Sequence, residues 1–399
     1  MEKKDKNLNV PNLRFPEFSG EWEKLHLYRI VTRVTRKNKN NESRLPLTIS
    51  AQYGLVDQIS FFNKVVASSD LSNYYLLHKG EFAYNKSYSG DYPWGAIKRL
   101  DRYDKGALSS LYICFTPTDI IDSDFLVHYF ESPKWHREVS NIAGEGARNH
   151  GLLNIAVPDF FNTQHCIAIN TAEQRKIADF LNLINERTET QKKIIEDLKK
   201  LKDAITHFHF RNELAHSPMT YIGQYITQVS RRNKDTKIDR VLSVSNKYGF
   251  VDQDEQFEDR VVASIDTSNY KVVQKGDFAY NPARINVGSV AILQEFENGI
   301  VSPMYVCFTT NKGLLPAYFE LYLSTNIFKH EMYKRLEGSV RLCLTYESLC
   351  NIKIALPEFS VQTDLASKVS ALLTKIKNEE RLLCLYHNFK QYLLTQMFI

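Results

Sequence analysis

Tyr53-Gly-Leu-Val-Asp-Gln58 returns 195 residues later as Tyr248-Gly-Phe-Val-Asp-Gln253. Downstream, Val65-Val-Ala-Ser-Ser-Asp70 is matched by Val261-Val-Ala-Ser-Ile-Asp266, and Phe82-Ala-Tyr-Asn85 by Phe278-Ala-Tyr-Asn281, now at an offset of 196. Val34-Thr-Arg-Lys-Asn38 pairs with Val229-Ser-Arg-Arg-Asn233 upstream, and Tyr112-Ile-Cys-Phe115 with Tyr305-Val-Cys-Phe308 further on. Solenoid units run about 20 to 50 residues, so a period this long makes each copy a domain.

The flanking sequence sets what each copy is made of. Stretches 45–50, 82–84, 111–115, 241–244, 287–293 and 301–308 are rich in β-branched and aromatic residues between Gly, Asn, Asp and Pro, the pattern of short strands and turns. Helical periods fall at 124–131 and 316–334. Each copy is therefore expected to be mixed α and β.

Each copy closes on a long segment free of Pro and Gly. In the first, Ile177, Ile184, Gln191, Leu198 and Ile205 recur every seven residues, and Phe180, Arg187, Ile194, Leu201 and Phe208 sit three later. That heptad predicts a coiled-coil seam over 172–210. The C-terminal segment repeats it at an offset of 188 with Leu365, Val369, Leu372, Ile376, Leu383, Tyr386, Leu393 and Met397, placing Glu379 opposite Gln191 in the alignment. A helix of about 38 residues is roughly 57 Å long, which suits it to act as a ruler. The expected division is a domain over 1–171, a helix and linker over 172–216, a second domain over 217–361 and a terminal helix over 362–399.

Composition narrows the function. The 399 residues carry 51 Lys+Arg against 46 Asp+Glu, a net charge of +5, and 43% apolar content supports a core in each domain. No stretch approaches the roughly 18 uncharged apolar residues of a membrane span, and the start lacks an apolar signal core, so a soluble cytoplasmic protein is expected. The six cysteines show no CxxC spacing and read as reduced thiols. Catalytic motifs are missing. There is no Walker A pattern, and Asn281-Pro-Ala283 lacks the second proline and the aromatic of an amino-methyltransferase motif. Gly144-Glu-Gly146 is a lone GxG. His207, His209 and His216 lack the further ligands of a zinc shell, so neither metal nor catalytic residue is assigned.

Three stretches carry a family resemblance: Pro11-Asn-Leu-Arg-Phe-Pro-Glu-Phe-Ser-Gly-Glu-Trp22, Glu173-Gln-Arg-Lys-Ile-Ala178 at the start of the central helix, and Leu393-Leu-Thr-Gln-Met-Phe398. In this order they resemble the specificity subunit of type I restriction-modification enzymes, over essentially the whole chain. The resemblance implies two target-recognition domains joined by two long helices that pair as an antiparallel coiled coil with pseudo-twofold symmetry. It also implies a non-catalytic reader of a two-part DNA sequence that carries two methyltransferase subunits and, in the full complex, restriction-translocation subunits. S-adenosylmethionine, ATP and magnesium would then belong to those partners, and this chain would hold no cofactor. The second copy departs from the pattern, with Val361-Gln-Thr-Asp-Leu-Ala366 where Glu173-Gln-Arg-Lys-Ile-Ala178 stands, which leaves open whether the two docking surfaces are equal.

Reading DNA takes side chains that reach base edges and a larger set that neutralises phosphate. Arg33, Arg36, Lys37 and Lys39 precede the first repeated strand, and Arg231, Arg232 and Lys234 precede the second; they are backbone-contact candidates or simply solvated. After the shared Phe-Ala-Tyr-Asn the copies diverge, which marks Lys86, Ser87, Tyr88 and Lys98 in the first, and Arg284 and Asn286 in the second, as sequence-reading candidates. Arg148 and Arg341 are further phosphate candidates, while Tyr84, Tyr280 and Trp94 read as core aromatics. Two other classes remain open: a coiled-coil adaptor without DNA binding, and a self-contained DNA methyltransferase or nuclease.

Overall fold

The computed structural model describes residues 9–64, 67–68, 70–87, 91–143, 151–253, 266–338 and 342–399. The repeated residues 65–66, 69 and 261–265 lie outside them. The chain divides into two compact units, the first made of residues up to 192 with 381–399, the second of 193–380.

Each unit is built on the same four-stranded sheet. In the first its order is Val31–Arg33, Ile113–Pro117, Phe82–Asn85, Ala96–Arg99; in the second it is Ile226–Val229, Val306–Thr310, Phe278–Tyr280, Val290–Ile292. All neighbours are antiparallel. The repeated Phe-Ala-Tyr strand lies in the interior, where all three side chains are buried on one or other face of the sheet and ring pairs stabilise it. Phe82 stacks on Phe115 with centroids 5.5 Å apart, and Phe278 stacks on Phe308 at 5.0 Å.

A second layer also repeats. In the first unit Gly54–Asp57, Pro46–Ser50, Lys105–Leu108 and Tyr75–His78 form one sheet, with a parallel link between the middle two strands. In the second unit the hairpin Leu242–Ser245 with Gly249–Asp252 and the pair Lys271–Gln274 with Asn298–Val301 meet through one parallel bridge, Val241 to Ile300. Close approach at that link requires glycine in both copies. A Cβ on Gly106 would sit 2.3 Å from Leu47 Cδ1, and one on Gly299 would sit 2.4 Å from Leu242 Cδ1.

The window 316–334 forms two helices, Pro316–Ser324 and Asn326–Tyr333. Between them Thr325 adopts extended backbone, its hydroxyl donating to the Tyr322 carbonyl and accepting from Phe328 N–H. A side chain able to cap the next helix competes with continuing the first, and apolar periodicity does not register that competition.

The central helix runs Thr171–His216, 46 residues, past the predicted seam, and the C-terminal helix Phe359–Gln396, 38 residues, beginning before residue 362 and ending before residue 399. In the first unit Ile177, Ala178 and Leu181 share a core with Leu393, Leu394, Met397 and Phe398. In the second, Phe210 shares one with Leu365 and Val369, and Lys199 pairs with Glu380 at 2.7 Å. The early turns of one helix thus meet the late turns of the other, the sense of an antiparallel pair.

One seam position needs correcting. Ile177, Gln191 and, in part, Ile184, Leu198 and Ile205 are buried as expected. The companion row lies four residues on rather than three: Leu181, Thr188 and Ile195 are buried, whereas Ile194 is 40% exposed, Leu201 47% and Phe208 74%. Thr188 is tolerated inside because its hydroxyl donates to the Ile184 carbonyl at 2.8 Å, leaving a methyl to pack. Counting apolar residues alone passes over such a position.

Candidate nucleic-acid interface

The basic run of the first unit leaves the strand Val31–Arg33 and enters a tight turn, as does that of the second unit after Ile226–Val229. Asn38 and Asn233, almost fully buried, organise these turns. Asn38 donates through Nδ2 to the Ser43 carbonyl and accepts from Ser43 N–H, both at 2.8 Å. Asn233 donates to the Ile238 carbonyl at 2.9 Å and accepts from Ile238 N–H at 3.3 Å. Three residues on, Asn41 N–H returns to the Asn38 carbonyl and Thr236 N–H to that of Asn233, and both residues hold positive φ, 52° and 48°.

The arginines beside these turns are engaged within the protein. Arg36 places Nη2 2.8 and 2.9 Å from the two carboxylate oxygens of buried Glu81, which also accepts His78 N–H at 2.7 Å. Arg231 pairs with Asp277, which likewise accepts Gln274 N–H at 2.8 Å. Lys37 donates to the Asn73 carbonyl at 2.8 Å and lies over the Tyr75 ring, while Arg232 donates to the Asn269 carbonyl. Arg33, Lys39 and Lys234 are exposed, without a side-chain partner among the described residues. Arg44, which the sequence reading passed over, is also exposed, beside a cleft of about 450 Å³ that includes Asn40, Asn41 and Ile59.

The divergent loops lie elsewhere in each unit. Lys86 and Ser87 line a cleft of about 290 Å³ with Tyr112, Leu152 and Asn154, and the Lys86 ammonium reaches the Ile155 carbonyl at 3.4 Å. Lys98 is not with them. Its ammonium is half-buried with Glu131 and Lys390 nearby; burial and Lys390 lower its pKa, and Glu131 opposes them. In the second unit Arg284 is exposed ahead of the short turn Ile285–Val287, and Asn286 lines a cleft of about 460 Å³ with Asn246, Gly288, Glu320 and Lys329. Burial raises the Glu320 carboxyl, partly opposed by the hydrogen bond from Gln294. Tyr88, Arg148 and Arg341 lie outside the described residues. Tyr84 and Tyr280 are fully buried and donate to the carbonyls of Trp94 and Leu344, so they belong to the core.

The organising residues Asn38, Asn233, Glu81 and Asp277 were missed as such. Their signal was present, since Asn38 and Asn233 stand at the repeat offset and Glu81 and Asp277 directly precede the matched Phe-Ala-Tyr-Asn. Among the described residues no group of three or more His, Cys, Asp or Glu is placed to hold a metal ion, and no helix is long and apolar enough to cross a membrane. The arrangement offers two framed basic turns and two unlike polar loops.

Comparison with solved structures gives the same architecture across the chain. The S subunit of a type I restriction-modification system from M. genitalium superposes with a TM-score of 0.55 at 16% identity, over 98% of this chain and 99% of that one. A chain from a study of complex assembly and conformational transition in a type I R-M system gives 0.58 at 14% identity, covering 94% and 97%. The HsdS subunit of Thermoanaerobacter tengcongensis gives 0.50 at 14%, covering 94% and 96%. No protein-family model matches the sequence, and no curated protein does. The fold of this chain is that of type I S subunits.

Proposed function

We propose that this chain is the non-catalytic DNA-recognition subunit of a type I restriction-modification system. Each unit reads one half of a bipartite duplex target, and the two long helices set the gap and dock methyltransferase subunits. The observation that carries the reading is one frame built twice, with the same buried asparagine, arginine-carboxylate pair and stacked phenylalanines, holding loops that differ after Phe-Ala-Tyr-Asn. Two readers of different half-sites need a shared support and unlike contact residues. The likeness in fold to type I S subunits supports the same reading.

In this reading Arg33, Arg44, Lys86, Ser87, Arg284 and Asn286 face the duplex, and S-adenosylmethionine, ATP and magnesium are bound by partner subunits. Exposed Ile194, Leu201 and Phe208 on the central helix, and Leu385, Phe389 and Tyr392 on the C-terminal helix, support docking, since stripes of large apolar side chains are rarely left in water. The test is methylation of a bipartite duplex by this chain with its methyltransferase partner. Scrambling either half should stop it; methylation indifferent to one half would refute the reading.

A further inference from the structure

We propose that the turns 38–43 and 233–238 are a matched pair of phosphate clamps, one in each unit. Lys39 and Lys234 are the residues that touch the DNA backbone, and Arg36, Lys37, Arg231 and Arg232 hold the turns in place. This rests on the DNA-reading function proposed above and divides labour within it.

The division follows from the partners. Arg36 and Arg231 are committed to Glu81 and Asp277, two carboxylates that also accept the backbone N–H groups of His78 and Gln274, so releasing either arginine would strip a mostly buried acid of its counter-charge. Lys37 and Arg232 are tied to the carbonyls of Asn73 and Asn269. One residue further on, past the buried asparagine, Lys39 and Lys234 stand at the same offset of 195, exposed and with no side-chain partner among the described residues. The neighbouring Asp235 carboxylate is engaged by Lys237 at 2.9 Å, so it does not claim Lys234. The turns beneath are ordered in advance by the two hydrogen bonds of each asparagine, which lowers the ordering cost when the ammonium meets a phosphate. Any one exposed lysine is unremarkable. The same lysine left free by the same surrounding bonds in both copies is the observation that points to a shared anionic ligand, and the phosphate backbone is what two different half-sites have in common.

The experiment is a salt titration of binding between the full chain and a mixed-sequence duplex, using unaltered protein, Lys39→Ala, Lys234→Ala, the double variant, and Lys377→Ala on an exposed turn of the C-terminal helix. Each turn variant should reduce the slope of log affinity against log salt by about 0.9, with the double variant adding the two, while Lys377→Ala leaves it unchanged. Unaltered slopes in both turn variants, an effect from one lysine only, or an equal loss in Lys377→Ala would overturn the paired clamp while leaving DNA recognition intact. Absence of salt-dependent duplex binding by the unaltered chain would overturn the parent reading, and the clamp with it.

Discussion

The guanidinium of Arg14 grips the carboxylate of Glu173 through two hydrogen bonds, from Nε at 2.7 Å and from Nη2 at 2.8 Å. Trp22 Nε1 adds a third at 3.2 Å, and Glu173 is only 1% exposed. Just before Arg14, Leu13 N–H and the Asn12 amide reach Gln396 at the end of the C-terminal helix, and Phe398 packs edge-on to Trp22. The three stretches that carry the family resemblance are therefore one piece of structure. In the second unit Val361 takes the place of Glu173, but the next residue keeps its task. Gln174 accepts from Asp122 N–H and donates to the carbonyls of Ile120 and Ala168, while Gln362 accepts from Leu315 N–H and donates to those of Gly313 and Pro357.

Removing Glu173 takes the counter-charge from Arg14, whose side chain is mostly buried and keeps the carbonyls of Ser19 and Gly20 as acceptors. Glu173→Ala should cost about 3 to 5 kcal/mol in the stability of the first unit. All three tryptophans, Trp22, Trp94 and Trp135, belong to that unit, so urea unfolding followed by their fluorescence reports it directly. A loss below about 1 kcal/mol would place the pair among weak surface bridges instead.

Gly106 has no room for a side chain against Leu47. Gly106→Ala should destabilise the first unit by about 1 to 3 kcal/mol through overpacking. Combining it with Leu47→Ala should cost less than the sum of the two single changes, because the second vacates the space the first needs. Strict additivity of the fluorescence-detected values would show that the contact is not the cause.

His165 makes the first unit acid-sensitive. Its Nδ1 lies 2.8 Å from the Tyr129 hydroxyl and its Nε2 2.8 Å from the Thr163 hydroxyl, which already donates to the Phe160 carbonyl. The Thr163 oxygen must then accept, so the proton sits on Nε2 of a neutral ring. Burial pushes the pKa down from 6.5 to about 3. The folded value is depressed, so the unfolded chain takes up a proton that the folded chain refuses, and stability present above pH 6.5 declines as pH falls toward 3. Unfolding midpoints measured from neutral pH downward should fall more steeply for the unaltered chain than for His165→Gln; parallel curves would contradict this account.

If the proposed function holds, inserting one heptad in both long helices lengthens the gap tolerated between half-sites and leaves the bases of each half unchanged. Methylome sequencing of a host expressing the altered chain with its methyltransferase partner reads both at once. A change in base preference would mean that the helices take part in reading.

Much of the fold was legible in the residues. Tyr53 to Gln58 and its copy mark the same hairpin strand in each unit, Gly54–Asp57 and Gly249–Asp252, because local identity of pattern produces local identity of structure. The run from 287 to 293 was legible only in part: its start is consumed by the turn Ile285–Val287, leaving Val290–Ile292 as strand. The candidate interface was legible as a set of charged residues but not as an arrangement. Lys98 falls in the stretch of sequence that diverges between copies, but it belongs to the strand Ala96–Arg99, and pairing with Ala83 carries it to Glu131 and Lys390.

That the chain is built twice and that each copy closes on a long helix can be read from the residues alone, since repeat identity and an unbroken run without Pro or Gly are properties of neighbouring residues. Which face of the central helix is buried, and which cations of the basic runs are engaged, depends on contacts distant in the chain. Thr188 enters the seam because a carbonyl one turn back takes its hydroxyl and a core is there to cover its methyl. Arg36 is held by Glu81, 45 residues away along the chain, whereas Lys39 meets no such side-chain partner among the described residues.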